Sequence, residues 1–149
     1  MTIKRPLLLA GLLLLVLGGG FLIGFATRPG AWYAALNKPW FTPPGWVFPL
    51  AWSVLYVLIA IAGYRAILNE QRRPVQLWCV QLALNFLWPI VFFGAQQITL
   101  GFIVIMLLLA AILTFMSMAR DGWARLSFAP YAAWVAFAAI LNGAILKAN

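Results

Sequence analysis

Apolar positions fall into five runs of about 20 residues, the length that carries a helix across the hydrocarbon core of a bilayer. They predict spanning helices over Pro6–Ala26, Pro44–Leu68, Pro74–Phe93, Ile98–Met118 and Ser127–Leu146. The expected fold is all-α: a single domain, residues 1–149, forming an integral membrane bundle of five transmembrane helices. The first run follows Lys4 and Arg5, as the core of a secretory signal would. It is longer than the roughly 7–15 apolar residues of such a core, so a retained helix is expected.

The runs differ in what interrupts them. Ile98–Met118 is mostly Ile, Leu, Met, Val and Ala, with no strongly polar residue, and packing and lipid contact account for it. Pro6–Ala26 is similar except for Gly18, Gly19, Gly20 and Gly24. Gly20 and Gly24 form a small-xxx-small pair, which admits a close helix either within the monomer or across a dimer face. The other three runs carry stripes. Gln81, Asn85, Trp88 and Phe92 recur at i, i+4, i+7 and i+11 and share one narrow helix face. Trp134, Ala138 and Asn142 form a second stripe with Tyr131 nearby, and Phe48, Trp52 and Tyr56 form a third.

An amide in hydrocarbon is costly unless paired, so these faces should look into the bundle. Interhelical hydrogen bonding alone would explain Gln81, Asn85 and Asn142. Aromatic walls with a few polar groups also suit a pocket for a large, flat, mostly apolar ligand. Trp32, Trp78 and Trp123 lie near run ends and read as interfacial anchors; Trp52, Trp88 and Trp134 lie deeper. Pro89 and Pro130 should loosen backbone bonding locally and widen the space between helices. Cys79 falls on the side of its helix opposite the stripe.

Composition agrees with a membrane protein and removes several chemistries. Of 149 residues, 66% are hydrophobic and 8% charged, against roughly 25% charged in a soluble domain. The net charge of +8 is scattered between apolar runs without a basic stripe, which argues against nucleic acid. One cysteine and no histidine exclude a disulfide framework and a Cys/His metal site. Glu70 and Asp121 are the only acids, and each sits at a helix end beside basic residues. No catalytic residue set, metal site or cofactor is indicated, and general acid–base catalysis is poorly supplied.

Charge also sets an expected orientation. Lys4, Arg5, Arg65, Arg72, Arg73, Arg120 and Arg125 fall on one side of a five-span chain, and Arg28, Lys38 and Lys147 on the other. In a cell membrane the richer side is expected in the cytoplasm, with the N-terminus, and the C-terminus outside. The one long connection, residues 27–43, then faces outward. It contains "NKPWFTPP", stiffened by prolines, and has the size of a lid or binding element.

Three segments, "WYAALNKPWFTPPGWVFPLAWSVLY", "QLALNFLWPIVFFGA" and "PYAAWVAFAAILN", occur in that order from Trp32 to Asn142. In them the chain resembles the translocator protein family, also called tryptophan-rich sensory proteins or peripheral benzodiazepine receptors (TspO/MBR). The resemblance implies a five-helix bundle, a homodimer, and a pocket covered by the first loop that binds porphyrins and benzodiazepine-type ligands. The pocket positions it implies are Trp40, Phe48, Trp52, Tyr56, Asn85, Trp88, Phe92, Trp134, Ala138 and Asn142. The function it implies is that of a membrane sensor or receptor for protoporphyrin IX and similar lipophiles, with membrane lipids as the other partner. Transport of tetrapyrroles and light-dependent breakdown of protoporphyrin IX, seen in bacterial members, are the alternatives. Without histidine as an axial ligand, a metal-free porphyrin is the natural guest. The sterol pattern of such proteins is absent from "NGAILKAN", although Arg125, Tyr131 and Val135 fit its reverse.

Overall fold

The structure, a computed structural model, describes residues 5–149; Lys4, counted above in the charge asymmetry, lies outside them. Five helices are long and apolar enough to cross a membrane: α1 Arg5–Ala26, α3 Val47–Leu68, α4 Arg72–Gly94, α5 Ile98–Met118 and α6 Gly122–Ala148. A short helix, α2 Ala31–Ala35, sits in the long connection. No strand occurs among the described residues.

Helix ends depart from the apolar runs for local reasons. Pro43 precedes another proline and is pushed out of the helical region, so α3 begins only after a turn in which the Val47 N–H donates to the Pro44 carbonyl (3.0 Å). The last helix starts at Gly122, well before Ser127, because Asp121 caps it by accepting the Trp123 N–H. Hydropathy does not register that first turn. Glu70 and Gln96 follow α3 and α4 with left-handed backbone, φ 52° and 57°, and turn the chain back within a few residues.

The helices close a ring. Helix α3 packs on α1 and α6, α6 on α5, and α5 on α4, while α4 returns to α3 and the second half of α1. Ile59, Ile105, Ile112, Phe115, Phe128 and Tyr131 fill the centre. Outward-facing Leu14, Leu22, Val80, Leu107 and Leu113 present the apolar surface that lipid requires.

Two glycines set how closely neighbours approach. A Cβ on Gly20 would lie 2.3 Å from the Tyr56 ring, so α1 can rest on α3 only because no side chain intervenes. Gly63 does the same for Trp78, whose ring would meet a Cβ at 2.4 Å. Trp78 is buried and its indole N–H donates to the Ile59 carbonyl (2.8 Å). It ties α4 to α3 and is not the interfacial anchor that its position near a run end suggested. Nothing lies within 4 Å of a Cβ on Gly24, so the small-residue pair divides: Gly20 packs inside the monomer and Gly24 faces outward.

Both α1 and α4 contain one wide turn, at Leu14–Gly18 and Ile90–Gly94. The second follows Pro89, whose missing N–H interrupts regular bonding, and the Ala95 N–H reaches back five residues to the Ile90 carbonyl (2.8 Å). It brings Phe92 into the interior and Phe93 against Tyr33 of α2.

Gly20→Ala should lower the thermal midpoint in detergent by an amount equivalent to about 1–3 kcal/mol, the usual cost of overpacking. Gly11→Ala, where an added Cβ meets nothing within 4 Å, should not lower the midpoint. Equal midpoints for the two variants would show that Tyr56 yields without cost.

Candidate functional site

The stripes on α4 and α6 meet through hydrogen bonds at two levels. At the deeper level the Tyr131 hydroxyl donates to Gln81 Oε1 (2.7 Å) and accepts from Asn85 Nδ2 (2.7 Å). Gln81 Nε2 in turn donates to the Trp78 carbonyl (3.0 Å). All three side chains are buried. Nearer the lid, the Trp88 indole N–H donates to Asn142 Oδ1 (3.1 Å), and Asn142 Nδ2 donates to the Ile98 carbonyl (3.4 Å). The amides are thus engaged within the protein, as hydrocarbon surroundings demand. Tyr131, near its stripe in the sequence, is the hub of the network. Tyr131 and Val135 are both fully buried, so the reversed sterol pattern is not offered to lipid.

Above this floor lies a narrow void of about 20 Å³. Five of the ten pocket positions implied by the resemblance line it: Phe48 from α3, Trp88 and Phe92 from α4, and Ala138 and Asn142 from α6. Tyr33, Phe93, Leu141 and Ile145 complete the wall and were not foreseen. Trp88 and Phe92 stack at 5.4 Å with their planes 21° apart. Phe48 meets Trp134 edge-on at 5.8 Å. Trp52 lies against Tyr56 (5.5 Å) and Tyr131 (6.3 Å), below the void. Asn85 stands in the deeper network. The Trp134 indole nitrogen is buried and has no hydrogen-bond partner.

Trp40 is not brought to the site. Its side chain is 94% exposed, and its aromatic neighbour among the described residues is Phe41, met edge-on. The lid contacts the bundle through other residues: Tyr33 packs on Phe92 and Phe93, Trp32 on Phe92, and Phe41 on Phe137. Lys38 explains the "NKP" segment. Its ammonium donates to the carbonyls of Tyr33, Ala34 and Leu36, closing the C-terminal end of α2. Asn37 then latches the lid to the end of α6. The Asn37 N–H donates to Asn149 Oδ1 (3.0 Å), Asn149 Nδ2 donates to the Asn37 carbonyl (3.0 Å), and Asn37 Nδ2 donates to the Ala148 carbonyl (3.3 Å). Glu70 and Asp121 belong to the loops at the opposite end of the bundle, and Arg65 pairs with Asp121 there.

Residues 12–147 match the model of the TspO/MBR family. The chain belongs to that family. It is 39% identical to a tryptophan-rich sensory protein of Cereibacter sphaeroides over 129 residues, 85% of this chain and 82% of the relative. A tryptophan-rich protein TspO of Archaeoglobus fulgidus is 42% identical over 143 residues, covering 92% and 94% of the two chains. The translocator protein of Homo sapiens is 36% identical over 143 residues, 89% of this chain and 81% of its own. With five membrane-length helices, this member of the TspO/MBR family is an integral membrane protein.

The shared hydroxyl gives a test of the floor. Tyr131→Phe strands an acceptor on Gln81 and a donor on Asn85, whereas Asn85→Leu leaves the Tyr131–Gln81 bond in place. Membrane hydrogen bonds average about 0.6 kcal/mol, and a stranded buried group costs roughly 1–3 kcal/mol. Thermal unfolding in detergent should therefore show the larger loss for Tyr131→Phe. A larger loss for Asn85→Leu would mean that Tyr131 is not the hub.

Proposed function

We propose that this protein is a sensor-type membrane receptor that binds a metal-free porphyrin or a similar flat lipophile between α3, α4 and α6, beneath the lid. The observation that carries this reading is the convergence of three helix stripes and Tyr33 on one void, with the indole of Trp134, whose N–H has no partner, packed against Phe48 of its wall. Aromatic faces supply stacking surface, and an unspent donor one ring behind the wall is available to a carbonyl or carboxylate of the guest once the wall opens. Family membership and the names of its relatives, sensory protein and translocator protein, support the same class of function.

The void holds only about 20 Å³, whereas pockets for such ligands measure about 300–1,000 Å³. Entry thus requires the lid to rise and the rings of Tyr33, Phe92 and Phe93 to part. Below the void, Tyr131, Phe128 and Phe115 are fully buried, which favours a closed-ended site over a through-path for transport. Light-driven breakdown of a bound porphyrin would draw on the excited ligand and oxygen, with Trp88 and Trp134 as neighbours, since the two acids lie at the far end. The protein is further proposed to form a homodimer, with the outward face of α1 around Gly24 available for close approach.

A porphyrin titration followed by tryptophan quenching tests the site. Trp134→Leu should weaken binding about threefold to tenfold, the range that follows from loss of an aromatic contact. Trp123→Leu, at an exposed position, should change it little. Equal losses at both positions would mean unspecific partitioning into the membrane phase.

The charge asymmetry supports a cytoplasmic loop between α3 and α4, with the lid and the end of α6 on the other side. Reporter fusions within residues 69–71 and after Lys147 should report opposite compartments, the former cytoplasmic. A cytoplasmic reporter after Lys147 would reverse the orientation.

A further inference from the structure

At the end of the bundle away from the lid, the α3–α4 and α5–α6 connections enclose an open cavity of about 650 Å³. Arg72 and Arg73, at the start of α4, and Arg120, from the α5–α6 connection, line it together with Glu70 and Asp121. Positive charge at helix ends is ordinary in a membrane protein, where it sets topology. The arginines here, however, divide into two groups. Arg65 is engaged by Asp121, and Arg125 Nε donates to the Ala119 carbonyl. The side chains of Arg72, Arg73 and Arg120 make no ion pair or hydrogen bond within the described chain. Three arginines without an intramolecular partner, two from the start of α4 and one from the α5–α6 connection, therefore line one cavity, and of its two carboxylates that of Asp121 is already paired with Arg65.

The walls are held in place without using those three groups. Gln71 Oε1 accepts the backbone N–H of Arg120 (2.9 Å), which joins the two connections. Arg65 fixes Asp121, holding its carboxyl below the ordinary carboxylate range chiefly through their hydrogen bond, and Asp121 caps α6. Because Gln71 is spent on Arg120, its side chain does not cap α4. The cavity opens where α4 begins and α5 ends, at the level of lipid headgroups if these helices span the bilayer.

We propose that this cavity binds the phosphate of an anionic phospholipid. A guanidinium presents paired donors in the geometry of phosphate oxygens, and basic pockets between membrane helices suit anionic headgroups. The exposed apolar sides of α4 and α5, including Val80 and Leu113, offer surface for acyl chains. A soluble phosphate shares the headgroup chemistry but has no use for that surface. The site is separate from the aromatic void and does not depend on the ligand proposed for it.

Native mass spectrometry of the full chain, stripped of lipid in detergent, provides the test. Phosphatidylglycerol and phosphatidylcholine of the same acyl composition are added in competition. Phosphatidylglycerol should be retained preferentially, and the preference should fall as salt is raised. Arg120→Gln should weaken it roughly fivefold, as expected for one basic residue near a headgroup. Arg28→Gln, at the other end, should leave it intact. Arg120→Gln removes a side chain without an intramolecular partner and keeps the backbone bond to Gln71, so the thermal midpoint should not move. The combined variant Arg72→Gln, Arg73→Gln, Arg120→Gln should retain the two lipids equally. Equal retention by the unsubstituted protein, or an undiminished preference in a folded combined variant, overturns the proposal. Displacement of phosphatidylglycerol by equimolar glycerol phosphate also overturns it, since the occupant would then be soluble.

Discussion

The hydroxyl of Tyr131 is the point on which the interior depends. Hydrocarbon offers no water to a stray amide, so Gln81 and Asn85 can occupy the centre of a membrane bundle only if they find partners there. One oxygen serves both, donating to Gln81 and accepting from Asn85. That arrangement fixes the rotation of α4 about its axis relative to α6. Once that rotation is fixed, Trp88 and Phe92, on the same face and further along α4, must also look inward. Asn142 meets Trp88 there and makes the second tie. The void lies between tied helices, and its floor is consequently rigid. Its roof is a loop.

The helices were legible because a bilayer demands long apolar segments and leaves few alternatives. The stripes were legible because helical periodicity reports which residues share a face. Phe48, Trp88, Phe92, Ala138 and Asn142 converge on one void as a result. The lid was a different problem. Loop side chains obey no period, and the choice between Trp40 and Tyr33 is made by contacts with Phe92 and Phe93 on another element. A tryptophan near a helix end also reads the same whether it anchors in the interface or packs against a neighbour. For Trp78 the deciding residue is Gly63, on a different helix, and the sequence does not show that the two face each other. Hydropathy likewise missed the first turn of α6, where the Asp121 cap rather than apolar content starts the helix.

The two ends of the bundle are built for different degrees of motion. At the arginine-rich end, side chains link the connections across α3, α4 and α6, through Gln71 and through the Arg65–Asp121 pair. At the other end, Lys38 makes α2 a small preformed unit, and ring contacts together with the Asn37–Asn149 bonds hold that unit against the helices. The bonds between Asn37 and the end of α6 are exposed to solvent, where they compete with water and contribute little net free energy.

That latch has a thermodynamic consequence for any guest of the void. If the closed lid is the resting state, only the open fraction of molecules can accept a ligand. The measured dissociation constant is then the intrinsic one divided by that fraction. Asn37 lines no part of the void, and Asn149 reaches a wall residue only at the backbone carbonyl of Ile145, so loosening the latch at Asn37 would raise the open fraction alone. Every ligand, whatever its shape, would gain the same factor in apparent affinity. A change in the walls would instead reorder ligands relative to one another, so selectivity and overall affinity are set by different parts of the chain.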